Sequence, residues 1–294
     1  EIASCLVGSE MCIRDSYDTE VAYMGYRTRV MENMVDTSKE ITPGRGILSV
    51  TSINLPRIGI KNGTSLNGKA NLNGFFQELE EKLDLVKDQL LERFEMQCSK
   101  KVYNFPFLLG QALWIDSEKL KETDNLKKVL KQGTMSIGFT GLAECLKALT
   151  GKHHGESKEA QELGLKIISF MREKCDKYSE KYNLNFSLTA TPSGNLSTDL
   201  IQMDQAIYGK IKNITDKEIY TDSFQLPKGY KISAEKKIEI EAPYHKLTNG
   251  GHITEINLPE DAILSDFMKI LEVMKKNDIG CCTCLLYTSD AADE

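Results

Sequence analysis

The sequence has no apolar run approaching the ~18 residues that a membrane-spanning helix needs, so no membrane partner is expected. It also lacks a basic excess. Lys and Arg number 37 against 43 Asp and Glu, for a net charge of -6 and a pI near 5.5. That balance argues against a nucleic-acid surface built on bulk charge. No glycine-rich dinucleotide fingerprint is present, which leaves a nicotinamide cofactor without support. Internal repeats and low-complexity tracts are missing as well, and one domain is the simplest account.

A disulfide framework is also missing. Of eight cysteines, Cys5, Cys12 and Cys284 fall in the terminal segments, leaving Cys98, Cys145, Cys175, Cys281 and Cys282, an odd and scattered set that fits a reducing cytoplasm. Cys145 and Cys175 sit on apolar helical faces, where a thiol serves as a small packing group. Cys281-Cys282-Thr283-Cys284 has the density of a metal site but no second ligand pair. Residues 1–16 and 284–294 stand apart from the rest and resemble translated sequencing-adapter read-through. The first is no secretory signal, since it carries Glu1 and Glu10 and lacks both a basic start and a sustained apolar run. On this reading residues 17–283 are an internal piece of a longer protein, cut at both sides.

What is present is an alternation of strand and helix patterns, which indicates an α/β architecture with largely parallel strands. Residues 46–58 alternate as a strand that Pro56 closes, and 71–97 form a helix whose apolar stripe is Phe75, Leu79, Leu83, Val86, Leu90 and Phe94. Residues 102–109 are a short apolar stretch broken by Pro106, and Asp116 and Ser117 can cap a helix reaching about 131. A buried strand at 134–139 feeds a helix at 142–149, which Gly151 ends. The next helix begins near Ser157, with Ala160, Leu163, Ile167, Met171, Cys175 and Tyr178 on one stripe. Residues 185–190 form a strand leading into a loop at Thr191; 230–241 and 252–258 have strand character, and 259–276 form a last helix.

Four segments carry a resemblance. The first runs from Val21 to Ile60, VAYMGYRTRVMENMVDTSKEITPGRGILSVTSINLPRIGI; the others are GFTGLAECLKALTGKHHGES (138–157), LNFSLTATPSGNLS (184–197) and EAPYHKLTNGGHI (241–253). In order and spacing they resemble the anaerobic (class III) ribonucleoside-triphosphate reductases over nearly all of residues 17–283. That resemblance implies part of the ten-stranded α/β barrel shared by ribonucleotide reductases and glycyl radical enzymes. The implied reaction replaces the ribose 2′-hydroxyl of a ribonucleoside triphosphate by hydrogen, with formate or a redoxin as reductant. It further implies a homodimer, a radical-SAM activating enzyme, and a glycyl radical and structural zinc site downstream of this chain, with no cofactor within it.

By the same resemblance, Met24, Gly25, Arg27, Thr28, Arg29 and Val30 match the family's active-site loop, but Tyr26 stands where the family has the cysteine whose thiyl radical takes hydrogen from the sugar. A phenoxyl radical is too stable for that step. Asn54 matches the active-site asparagine, whose carboxamide can donate to and accept from ribose hydroxyls. The other reading of Asn54 is a strand-ending residue that satisfies backbone groups before Pro56. The loop Thr191-Pro192-Ser193-Gly194-Asn195-Leu196-Ser197 offers N–H groups to substrate phosphates. Gly194 occupies the position of the family's glutamate, Asn195 replaces a glycine, and Ile47 stands where Asn is common. Arg27, Thr28, Thr191, Pro192, Ser193, Asn195 and Ser197 are thus the implied substrate-binding set.

Two rivals remain open, a catalytically dead paralogue that still binds nucleotide and, behind it, a glycyl radical lyase. The lyase would favour a cysteine pair in the active loop, whereas Cys281-Cys282 lies at the far end. His153 and His154 are adjacent and point apart, so they join two helices rather than hold one ion. His245 reads as a hydrogen-bonding core residue.

Overall fold

Strand β1 (Ile47–Asn54) runs straight into helix α1 (Leu55–Asn62), and Asn54 is both the last strand residue and the cap of that helix. The expected strand to residue 58 therefore ends four residues early. Pro56 sits in the first helical turn, where its missing N–H costs nothing and its fixed φ suits the helix, so it opens α1 instead of closing β1. The computed structural model describes residues 25–40, 43–64, 68–190, 194–258, 262–279 and 281–286. The terminal segment 1–16, Met24, and Thr191, Pro192 and Ser193 lie outside the described residues, as does the side chain of Tyr26.

Helix α2 (Leu72–Cys98) is capped by Asn71, whose Oδ1 accepts from the Gly74 N–H at 3.0 Å. Its expected stripe is buried throughout. Residues 117–131 do not form one helix. Asp116 adopts a left-handed conformation (φ 61), and its carboxylate takes Lys39 and Lys119 instead of capping backbone N–H groups. Ser117–Lys119 make a single 3-10 turn, Asp124 turns the chain by accepting from the Lys121 N–H, and the α-helical part is α3 (Lys127–Leu130).

Strand β2 (Thr134–Thr140) leads into α4 (Leu142–Thr150), and α5 (Lys158–Tyr182) follows with Ser157 as its cap. Strand β3 (Asn185–Thr189) is followed by α6 (Asn195–Tyr208), so residues 195–197 of the expected loop are already helical. Residues 230–241, expected as strand, form none: 230–233 are irregular and 234–241 belong to α7 (Ala234–His245). Ser233 caps that helix by accepting from the Lys236 N–H, and the β-branched Ile238 is buried against β4 (Thr254–Leu258) and α8 (Leu264–Asn277). Here tertiary packing overrides the local β preference. The last strand, β5 (Cys282–Leu286), crosses the expected boundary at residue 284.

The strands β1-β2-β3 pair in parallel, as do β4-β5, and a parallel bridge between Ala190 and His252 links the two groups. Register gives the first sheet two unlike faces. Ile53, Met135, Ile137, Phe139, Phe186 and Leu188 pack beneath α2 and α5. Ser52, Gly138 and Thr189 share the other face, as do Ser136 and Ser187, whose hydroxyls lie 2.5 Å apart. Among the described residues, no helix is long and apolar enough to cross a membrane.

Leu83 lies at the centre of the α2 stripe with no exposed surface. Leu83→Ala is expected to cost about 2–5 kcal/mol through lost burial and the cavity it leaves, which denaturant unfolding would measure.

Candidate functional site

The site is built at the carboxyl ends of the parallel strands, where Asn54, Thr140 and Ala190 leave β1, β2 and β3. Loops and helix N-termini gather there because each strand turns directly into a connection.

A strap, residues 25–34, runs antiparallel to β3 and carries position 26 to that end. At its lower end the Met34 N–H donates to Asn185 Oδ1 at 2.8 Å, and Asn33 Nδ2 donates to Gln132 Oε1 at 2.7 Å. Arg45, buried in the Gly44-Arg45-Gly46 turn, donates to the carbonyls of Glu32, Glu40 and Gln132, and burial lowers its guanidinium to about 10. At the upper end, Thr28 bridges Gly251, and the Arg29 N–H donates to the Gly250 carbonyl at 3.0 Å. Gly250 in turn donates to Leu188, and Ala190 donates to Gly251, both at 2.8 Å.

This approach requires two glycines. A Cβ on Gly250 would run into Thr189 Oγ1, and one on Gly251 (φ +123) would run into the Arg27 carbonyl, both far inside van der Waals contact. Arg27 itself has φ 58, and the Thr28 hydroxyl donates back to the Gly25 carbonyl at 2.9 Å. Gly25, Tyr26 and Arg27 form a single 3-10 turn at the tip.

Asn54 does two jobs. Its Oδ1 accepts from the Arg57 N–H at 3.2 Å, capping α1, and its Nδ2 donates to Asp204 Oδ2 at 2.8 Å. Asp204, on α6, is fully buried and also accepts from Arg57 Nε at 2.5 Å and the Tyr220 hydroxyl at 2.9 Å. Burial, reinforced by the Asp204 charge, raises the Tyr220 pKa, so the phenol stays a donor. A second buried carboxylate, Glu144 on α4, takes Lys217 Nζ at 3.0 Å and the Thr221 hydroxyl at 2.7 Å. Together the two acids hold the segment 217–222 across the strand ends.

Gly194 precedes α6 as its cap with φ 54 and ψ -134, exposed, and among the described residues beyond its chain neighbours no heavy atom lies within 4 Å of where a Cβ would stand. A glutamate side chain would have room there, but the backbone favours glycine. Asn195 is exposed at the first position of α6. Ser197 is buried, with its hydroxyl 3.1 Å from Thr140 Oγ1 and 3.3 Å from Asp222 Oδ1, so it anchors α6 to β2. Ile47 opens β1, at the opposite end from the site. Asp204, Glu144, Tyr220 and the Gly250-Gly251 pair were not singled out from sequence. The adjacent glycines were the one signal to hand, because paired glycines between strand patterns mark close backbone approach.

The cysteines and histidines play other parts. Cys281 and Cys282 are buried at successive positions entering a strand, whose side chains alternate in direction, so they do not fit a shared zinc ion. Among the described residues, no group of three or more His, Cys, Asp or Glu could hold a metal. His154 Nε2 lies 2.8 Å from the Phe224 carbonyl, and His153 Nδ1 accepts from the Gly155 N–H, which fastens the α4–α5 turn. His245 Nε2 lies 2.9 Å from Thr254 Oγ1, and its ring is 4.1 Å from that of His252.

The family model described as anaerobic ribonucleoside-triphosphate reductase matches residues 9–286. The chain belongs to this family. It is 33% identical to the anaerobic ribonucleoside-triphosphate reductase of Salmonella typhimurium over 227 residues, covering 76% of this chain and 30% of that protein. It is 31% identical to the enzyme of that name from Enterobacteria phage T4, over 82% of this chain and 38% of the relative. The chain therefore spans about a third of the reductases it matches. Among solved structures, it superposes on the Thermotoga maritima anaerobic ribonucleotide reductase with glycerol in the active site at a TM-score of 0.60, with 20% identity, 82% of this chain and 36% of that one. The complex of that protein with dATP and CTP gives 0.61 at 20% identity, covering 82% and 37%. The fold is that of the family, and the parallel strands here are part of its α/β barrel.

Two outcomes follow for this anaerobic reductase segment. Gly251→Ala is expected to push the strap off β3, read as loss of hydrogen-exchange protection at the Arg29 amide. Acid should also unfold the chain. Burial lowers His153 to about 4, His154 and His245 to about 3, and His252 well below 6.5. A lowered folded pKa gives stability that is present above 6.5 and is lost as pH falls toward those values. Glu241, raised by burial to about 7, acts in the opposite sense, losing its contribution as pH rises through 7. Four groups outweigh one, so melting temperatures measured from pH 7 to pH 5 should decline.

Proposed function

We propose that this chain is the nucleotide-binding side of the active site of an anaerobic ribonucleoside-triphosphate reductase, and that it binds ribonucleoside triphosphate without reducing it. The observation that carries this reading is the convergence of Asn54, the position-26 turn and the start of α6 at one end of the sheet. The Thermotoga reductase forms a complex with dATP and CTP, which supports a ribonucleotide as ligand here.

In this role Asn54 holds ribose hydroxyls, while the loop 191–197, with Arg27 and Thr28 nearby, holds the triphosphate. Asn195 and the backbone N–H groups at the start of α6 suit an anion. Thr191, Pro192 and Ser193 belong to that role through the resemblance alone. The whole enzyme would exchange the ribose 2′-hydroxyl for hydrogen, releasing water, with formate or a redoxin as reductant. Hydrogen abstraction would be initiated by a glycyl radical region outside this chain, installed by a radical-SAM enzyme. A homodimer in the cytoplasm, with a structural zinc beyond these residues, completes that reading.

Tyr26 removes the agent of hydrogen abstraction and Gly194 the proton-exchanging carboxylate. The left-handed backbone at Gly194 favours the second reading, a lineage that has kept nucleotide binding and lost radical chemistry.

Calorimetric titration of the 294-residue chain with CTP tests this. Saturable binding is expected, weakened about tenfold by Asn54→Ala, the loss of roughly one hydrogen bond, with no dCTP formed even in Tyr26→Cys. Absence of binding would overturn the assignment, and dCTP formation by the unaltered chain would overturn the loss of chemistry.

A further inference from the structure

The geometry points to Asp204 as a positioning residue that fixes which end of the Asn54 carboxamide faces each neighbour; this rests on the nucleotide-binding role of Asn54. Asp204 has no exposed surface, yet its carboxylate has three donors from three places: Asn54 Nδ2 at the end of β1, Arg57 Nε on α1 and the Tyr220 hydroxyl on the segment crossing the strand ends. A buried carboxylate is tolerated only when its oxygens are met in this way.

The consequence for Asn54 is directional. In the observed orientation Nδ2 faces Asp204 and Oδ1 accepts from the Arg57 N–H. Turning the amide by 180° would set an oxygen against the carboxylate and an NH2 against another N–H, losing two hydrogen bonds and adding two repulsions. Only one orientation survives. It leaves one N–H of Nδ2 and one lone pair of Oδ1 unspent, a donor and an acceptor held on a single rigid group. A ribose diol, in which each hydroxyl can donate or accept, matches such a pair. Asp204 also lies nine residues beyond Asn195 on the same helix, so the contact that orients Asn54 also sets the distance from β1 to the start of α6.

Asparagine at position 204 cannot do the same work. The charged Arg57 guanidinium claims its one oxygen, so its NH2 is turned to Asn54 Nδ2, from which it cannot accept. A double-mutant cycle on CTP affinity therefore separates positioning from general support. Asn54→Ala and Asp204→Asn are each expected to weaken binding about tenfold, and the double variant to bind no more weakly than Asn54→Ala alone. If Asp204 only supported the fold, Asp204→Asn would weaken binding equally in both backgrounds, and that result would overturn the proposal.

A second measurement needs no ligand. In the 15N–1H spectrum the Asn54 side-chain amide should show one proton shifted downfield by the carboxylate, with slow exchange. Asp204→Asn should abolish that signature, whereas the milder Tyr220→Phe keeps it and weakens CTP binding less than about threefold. An Asn54 amide unchanged by Asp204→Asn sinks the positioning role. Failure of the unaltered chain to bind CTP sinks the nucleotide reading instead, and the amide spectrum still decides the contact.

Discussion

The arrangement of the site depends on a steric constraint: two backbones meet where no Cβ can stand. Residues 25–30 lie beside β3 only because Gly250 and Gly251 let the intervening segment press against Thr189 on one side and the Arg27 carbonyl on the other. Hydrogen bonds in both directions then make the segment a spacer between strap and sheet. Move it outward by one methyl group and the turn containing position 26 leaves the strand ends. The polar face of β2 and β3 serves the same end, since Ser136, Ser187 and Thr189 satisfy one another without bulk.

A second layer is electrostatic. Asp204 and Glu144 are buried at neighbouring strand ends, and each draws in donors from a chain segment that has little apolar content of its own to hold it. Carboxylates substitute for hydrophobic packing where the chain crosses the strand ends. Such acids are costly if a donor is lost, because the remaining charge has nowhere to go.

Much of this is legible in the residues alone. The stripes of α2 and α5, the caps at Asn71 and Ser157 and the stop at Gly151 follow local rules that packing reinforces. The failures share a cause. A proline after a strand pattern reads as a terminator, but Pro56 opens a helix, and the cap made by Asn54 shows only in three dimensions. Residues 230–241 look like strand by composition, but Ser233 and the face offered by β4 decide for helix. Asp204 cannot be found by spacing, since its partners lie 16, 147 and 150 residues away. At Asn54 the capping reading holds, and the same side chain also reaches the buried Asp204.

The strand order has a consequence for how the molecule is made. Strands β1 to β3 lie side by side in the order of synthesis, and β4 and β5 do the same. Each new strand meets an edge already formed by the one before, so the sheet can grow while the chain is still emerging from the ribosome. The strap and its glycine spacer break that pattern: residues 25–30 are made before the sheet but find their neighbours only when residues 249–252 arrive, more than two hundred residues later. The scaffold is thus assembled early and the turn containing position 26 is seated late.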